Sequence, residues 1–311
     1  MNQLLFDLCT ARPRLLARLA QRVRTAVVRR HNPEVRDRLE GRTLVVPLSH
    51  DLAWNRMHHP TYTDNLRRVA EFVRRRDGRL AFVDVGANVG DSYLLTRPAP
   101  GDSCVLIEGS ERYFGLLKRN VGGDPGVRCV YALLSDVPGE AAGSMVVEGG
   151  NARVEAQAGG RGAAFDTLDR VLERQAGFGP ANLLKVDVEG WDGRVLRGGR
   201  ALLSAAAPVV IFEHHPRLIA LTGEDDRRLF GELAALGYGL MIVYDNRGFL
   251  LGTLDPADTA RATELVSYAR QQDGYYFDVI AFPAARSADR DAFLAGERAF
   301  ADALFAAPRP A

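Results

Sequence analysis

A mostly parallel β-sheet covered by helices on both faces is the fold class this sequence predicts. Three observations lead there. From residue 80 onward, short apolar runs alternate with stretches of helical periodicity, as in chained βαβ units. The runs are continuously apolar, the pattern of strands buried on both sides. They end in glycines or carboxylates, and no internal repeat or low-complexity linker interrupts the series.

The elements follow in order. Residues 4–30 put Leu15, Leu16, Leu19, Val23 and Val27 at helical spacing with arginines opposite, which predicts an amphipathic helix. GRTLVVPLSHDL (41–52) reads as a short strand closing in a polar turn. HHPTYTDNLRRVAEFVRRR reads as a loop entering a helix that stops near Gly78. LAFVDVG is the first buried strand and SCVLIEG (103–109) the second; a helix around ERYFGLLKRN precedes the third, VRCVYALLSD (127–136). Ser144–Val147 and Arg153–Gln157 flank EGGN like an inserted polar hairpin, and Phe165–Gln175 has helical character. NLLKVDVEG (182–190) and PVVIFEHH (208–215) are further strands around a helix at 192–205. LFGELAALGYG leads into LMIVYD (240–245), with GFLLGTL hairpinned on it, and YYFDVIAFP (275–283) closes the series. The division expected is a helical and loop extension over 1–78, the main domain over 79–285, and a C-terminal helix over 286–311.

Composition narrows the class. In 311 residues, 47% hydrophobic and 25% charged content is that of a globular chain and excludes a disordered, collagen-like or disulfide-scaffold protein. No apolar run reaches the ~20 residues of a membrane span, and the arginine-studded N-terminus lacks a signal-peptide core. Three cysteines, odd in number and widely spaced, fit a reducing cytoplasm better than a disulfide framework or a zinc site. The net charge of +1 hides an asymmetry. Residues 1–79 hold 17 arginines against 8 acidic residues, and the remainder holds 23 basic against 31 acidic. The basic helix reads first as a solvated face packed on the main domain, with contact to an anionic membrane surface or polyanionic substrate as the alternative.

In such a sheet, ligands bind beyond the carboxyl ends of the strands. The first strand ends in Asp84, followed by Gly86, Asn88 and Gly90. The glycines permit a tight turn and close backbone approach, but their Gly-x-x-x-Gly spacing departs from the Gly-x-Gly-x-x-Gly of a pyrophosphate loop. An acidic strand end suits a cationic amine better than a phosphate. Glu108, 24 residues after Asp84, is placed to accept both hydroxyls of a ribose. Ser135 and Asp136 end the third strand, where a polar side chain meets an adenine edge. An amino-acid end, a ribose, an adenine and no phosphate describe S-adenosylmethionine better than a nicotinamide dinucleotide. Ordinary strand-to-helix turn chemistry is the plainer account of the same residues.

VDVGANVGD, IEGSERYFGLLKRN, LLSD and above all LLKVDVEGWDGRVLRGG resemble the FkbM-type S-adenosylmethionine-dependent methyltransferases. The resemblance rests on Lys185, Asp187, Glu189, Gly190, Val195, Leu196 and Gly198, then a strand from Pro208 to Glu213, and spans about residues 80–215. VPLSHDL and HHPTYTDNL are similar to segments that precede this domain in bacterial members associated with glycan modification. Gly109-Ser110 departs from a proline common after the acidic residue. The resemblance implies a Rossmann-like class I methyltransferase fold with a seven-stranded, mostly parallel sheet. It also implies O-methyl transfer to a hydroxyl of a sugar, glycan or glycosylated natural product, with S-adenosylhomocysteine as product.

In-line transfer to a weakly acidic hydroxyl needs alignment and proton removal. The catalytic candidates at the sheet edge are Asp187, Lys185, Glu213 and His214, with His50 from the extension. Asp187 also counts among the cofactor contacts. Lys185, two residues before Asp187 on the same face, reads as a buried ion pair orienting it. His214 and His215 are consecutive, so one of them faces the site, and His214 is the candidate. A divalent metal held by Asp187, Glu189 and Glu213 is a less favoured route, and no metal ligand is assigned. The competing functions are a nicotinamide-dependent dehydrogenase on the same sheet and an inactive methyltransferase-fold scaffold. The acceptor expected is a small molecule or glycan, phosphorylated or lipid-linked in keeping with the basic extension. No nucleic-acid partner is expected, and a homodimer is the base-rate oligomer.

Overall fold

A computed structural model of the protein describes residues 1–10, 14–141, 143–148, 151–156 and 163–306. Gln157 of the expected hairpin and residues 307–311 of the expected C-terminal helix lie outside the described residues, as do the side chains of Leu15, Leu16 and Leu19.

The extension begins with α1 (Asn2–Cys9) and α2 (Arg14–Arg30), which pack together. In α2 the inward side chains are Ala20 and Arg24, while Val23 is 53% exposed. Val27 packs against the core as expected and Val23 does not, and Arg24 turns inward because its Nε donates to Leu48 O at 2.7 Å. A hairpin of β1 (Glu34–Leu39) and β2 (Arg42–Pro47) follows, where a strand was expected only from residue 41. Glu40 and Gly41 form its turn with positive φ, as tight hairpins require. Next come α3 (Leu52–His58) and α4 (Asp64–Asp77). Leu66, Val69, Ala70 and Val73 of α4 repeat at helical spacing and are all buried, and Gly78 ends the helix in the left-handed region.

The main sheet then assembles: β3 (Ala81–Val85), α5 (Asp91–Leu95), β4 (Ser103–Glu108), α6 (Glu111–Val121) and β5 (Val127–Tyr131). The chain bends after β5, so the third apolar run splits off β6 (Leu133–Leu134). β7 (Gly139–Ala141), the hairpin of β8 (Gly143–Glu148) and β9 (Asn151–Ala156), and β10 (Ala163–Asp166) follow, and a side sheet forms in the order β6-β10-β7. Phe165 thus belongs to a strand, and the helix expected from it, α7 (Leu168–Glu173), starts where Thr167 accepts a capping hydrogen bond from Arg170 N. The remaining elements are β11 (Leu183–Val186), α8 (Asp192–Gly198), α9 (Arg200–Ala205), β12 (Val209–His214), α10 (Pro216–Leu221), α11 (Arg228–Ala235), β13 (Tyr238–Asp245), β14 (Leu250–Leu254), α12 (Thr259–Arg270), β15 (Phe277–Pro283) and α13 (Ser287–Ala306). The single helix expected over 192–205 is broken at Gly198-Gly199.

The main sheet has eight strands in the order β14-β13-β15-β12-β11-β3-β4-β5. It exceeds the seven expected because β14, hairpinned on β13, is a full member. β12, β11, β3, β4 and β5 are mutually parallel, and β15 runs antiparallel between β12 and β13. Helices and the extension bury one apolar cluster on each face, as a two-sided sheet demands. Parallel strands bring their carboxyl ends to one edge, and the antiparallel β15 brings its beginning there.

Candidate functional site

One cavity of about 520 Å³ opens at that edge. Its floor is the crossing point between β3 and β11, where the connections diverge to opposite sides. Gly86 adopts φ +83°, and a Cβ built there would fall 1.9 Å from Asp187 O. Only glycine lets the turn after β3 lie against the end of β11. Gly90 lies outside the lining; a side chain on it would meet Leu117 and Val121 of α6, so it serves helix packing.

Beside the glycine turn stands Glu108, 6% exposed. It accepts from Asn88 N at 2.9 Å and Ser110 N at 2.7 Å, one on each oxygen. Burial pushes its carboxyl up to about 7, against the pull of these amide donors. Each oxygen keeps a lone pair for a further donor. Past Glu108 the lining turns apolar, with Leu133, Leu134, Val188 and Phe165, whose ring stacks on Trp191 at 5.9 Å. A planar heterocycle fits such a slot. Ser135 and Asp136, expected there, do not line it. Ser135 Oγ bonds Asp136 at 3.0 Å, and Asp136 turns to Arg197 at 3.4 Å. The bend after β5 ends the lining at Leu134.

Asp84 is fully buried and does not line the cavity, contrary to a direct amine contact. Its Oδ1 is 3.4 Å from Lys185 Nζ, which also reaches Asp187 Oδ2 at 3.2 Å. Burial pushes Asp84 up to about 6 despite the lysine. Burial alone would lower Lys185, but Asp187 and Asp84 outweigh it and hold the ammonium charged. Lys185 and Asp187 both line the cavity, so Lys185 links the buried carboxylate to the exposed one.

The opposite end gathers acids and tyrosines. Glu213 lines the cavity, and burial with the nearby Asp187 charge pushes its carboxyl well above the usual range. His214 does not share that position. Alternation along β12 turns it to the other face, where it is fully buried against Phe230 at 4.7 Å and burial lowers it to about 3. The parity that carries Glu213 inward also carries His215, which lines the cavity and stacks on Tyr276 at 5.9 Å. The residue identities did not single out Asp278, Asn65, Tyr62, Tyr276 or Asp91. Asp278 sits directly across from Glu213 in the β12–β15 register, and Asn65 Nδ2 donates to it at 2.9 Å. Tyr276 Oη donates to Tyr62 Oη at 3.2 Å. His50 does reach the cavity, at the glycine-turn end, with Nε2 3.5 Å from Asp91 Oδ2. Burial would lower His50, yet the Asp91 hydrogen bond and charge raise it on balance. Among the described residues, no three His, Cys, Asp or Glu side chains form a metal-holding group.

The strand order, with an antiparallel strand slotted beside the last parallel one and a glycine turn after the central strand, defines a Rossmann-like class I methyltransferase fold. The Methyltransferase FkbM domain matches residues 84–240, half of the chain, and the chain belongs to that family of S-adenosylmethionine-dependent enzymes. Among solved structures it is similar to methyltransferase FkbM from Methylobacillus flagellatus, at 15% identity and TM-score 0.36, covering 51% of this chain and 38% of that one. It is also similar to an O-methyltransferase from Bacillus cereus in complex with SAH, at 14% identity and TM-score 0.38, covering 70% and 80%. A third is the O-methyltransferase TomG from Streptomyces achromogenes, in complex with SAM, at 14% identity and TM-score 0.39, covering 71% and 78%. No curated protein matches the chain.

Proposed function

We propose that the protein transfers a methyl group from S-adenosylmethionine to a hydroxyl of a sugar, glycan or glycosylated natural product. The observation that carries this reading is a single cavity joining the Glu108 end to the Glu213 end. Its first half suits the cofactor. Glu108 would take the ribose hydroxyls, Phe165 and Trp191 the adenine, and the Gly86–Asn88 backbone the amino-acid portion. The glycine cradle and a lining that holds no arginine among the described residues support a ligand with a ribose and no phosphates. Bound there, S-adenosylmethionine supplies a methyl group made electrophilic by its sulfonium.

This chain's residues then bind and orient the acceptor. Lys185 holds Asp187 toward the cavity, and Asp84 works through Lys185 as a positioning residue. Tyr62, Tyr276 and His215 offer ring faces and hydroxyls of the kind that hold sugars. The extension over residues 1–78 forms the acceptor-side cover in this reading, supported by His50, Tyr62 and Asn65 in the lining. Its surplus of arginine favours a phosphorylated or lipid-linked acceptor. A cytoplasmic location agrees with free Cys9, Cys104 and Cys129.

Calorimetry with S-adenosylmethionine, S-adenosylhomocysteine and NADH tests the cofactor half. A mass-shift screen over nucleotide sugars, oligosaccharides and lipid-linked glycans tests the acceptor. Methylation of a hydroxyl in that set is expected; binding of NADH alone would overturn the assignment.

A further inference from the structure

The acceptor end pairs Glu213, a candidate from the sequence, with a second carboxyl group that no motif announced. Glu213 on β12 and Asp278 on β15 are direct partners in the antiparallel register, on one face of the sheet and both in the cavity wall. Side chains so placed have Cβ atoms about 4.5–5.5 Å apart, and two charged carboxylates at that range repel strongly. Other groups bear on them from each neighbouring element. Asp187 adds a third carboxylate from β11, one step beyond the last Val186–Phe212 rung, but it is already paired with Lys185. Glu189 adds negative charge from the segment after β11 and Asp245 from β13, and Asp192 of α8, held above the usual carboxylate range by burial, is a further acid bearing on Glu213. Asn65 donates to Asp278 from α4, and Tyr62 and Tyr276 close the remaining side. Lys185 is the cation bearing on Asp278, and Asp84 and Asp187 share it.

We propose that Glu213 and Asp278 share a single proton at neutral pH and together form the base that takes the proton of the acceptor hydroxyl. This rests on the methyltransferase reading above. Asp187 is tied to the Lys185 ammonium 3.2 Å away, whereas the register sets Glu213 and Asp278 against each other. In the step, the acceptor O–H bond breaks and its proton passes to the singly protonated pair, which becomes neutral. The freed oxygen lone pair forms the C–O bond to the methyl carbon, and the C–S electrons leave with sulfur as a neutral thioether. The proton is later released to solvent. Burial and the surrounding charges push Asp278 up to about 7, so the base form fills as pH rises through that value.

The test compares wild type with Asp278→Asn and Glu213→Gln, isosteric changes that keep the Asn65 contact. Infrared titration should find a protonated-carboxyl band at neutral pH in wild type, additional to that of Glu108, that either substitution removes from the wild-type-minus-variant difference spectrum. S-adenosylhomocysteine affinity, measured by calorimetry, should stay within about twofold. Single-turnover methylation of the acceptor that wild type modifies should fall about a hundredfold or more in each variant and lose its rise through pH 7. Absence of the wild-type band, or an Asp278→Asn enzyme with wild-type rate and pH profile, overturns the shared base while leaving the methyltransferase reading intact. A wild-type protein that binds neither S-adenosylmethionine nor S-adenosylhomocysteine overturns both.

Discussion

Gly86→Ala puts the contact between the turn after β3 and the end of β11 under direct strain. The new Cβ would stand 1.9 Å from Asp187 O, whereas real Cβ atoms essentially never come within 3.0 Å, so the two strand ends must part by about 1 Å. The atom in the way is backbone and cannot swing aside. Asp187 N donates to Val85 O at 3.0 Å on the same rung, so the parting also lengthens a ladder bond. A side chain at φ +83° costs about 1–2 kcal/mol, and overpacking typically about 1–3 kcal/mol more. The expected loss is about 2–5 kcal/mol in urea unfolding. S-adenosylhomocysteine affinity should also fall, because Asp187 moves with its carbonyl. Gly115→Ala in α6 is the control, since nothing lies within 4 Å of its Cβ; it should stabilise by about 0.5–1 kcal/mol. A Gly86→Ala protein within about 0.5 kcal/mol of wild type that binds the product normally would refute the reasoning.

Three further outcomes are expected. In the proposed ribose role Glu108 accepts two hydroxyls best when ionised and is pushed up to about 7, so S-adenosylhomocysteine affinity should rise from pH 6 to 8 and then level off; Glu108→Gln should bind weakly with a flat profile. Raised folded-state values at Asp84, Glu108 and Asp278 make these carboxyls bind more protons in the folded than in the unfolded chain between about pH 4 and 7, and they outnumber the opposite contribution of the lowered His214 and His215. Without ligand, the protein should therefore melt at a lower temperature at pH 7.5 than at pH 5.5, with a shallower slope in Asp278→Asn; an opposite slope would contradict these environments. Arg24→Met removes donors to Leu48 O and His50 O and the ion pair with Asp51. A loss of about 2–4 kcal/mol is expected, with faster proteolysis at residues 48–55.

The sheet was legible because burial on both faces forces continuous apolar runs, and parallel strand ends force glycines and carboxylates to one edge. Glu108, Lys185 and Asp187 were found that way. β1 escaped notice because its inward positions include Asp37 between Val35 and Leu39, which breaks the apolar alternation. Asp278 escaped because YYFDVIAFP carries no information about which strands flank it; only the register sets it against Glu213. Strand parity was available for the histidines, since Glu213 and His215 must share a face. Ser135 and Asp136 lay beyond sequence reasoning, because the bend that removes them depends on β6 joining a separate side sheet.

The position of β15 sets an order of assembly. The cofactor half draws on residues up to about 191, all of which leave a ribosome before the last strand does. The acceptor half cannot close until β15 threads between β12 and β13, two strands that wait for it with open hydrogen-bonding edges. The α13 helix then locks the arrangement through Glu297, which binds Arg68 of α4 at 2.7 Å and accepts from Tyr244 at 2.8 Å. Translation pauses or truncations after β14 should therefore yield species prone to pairing through those open edges.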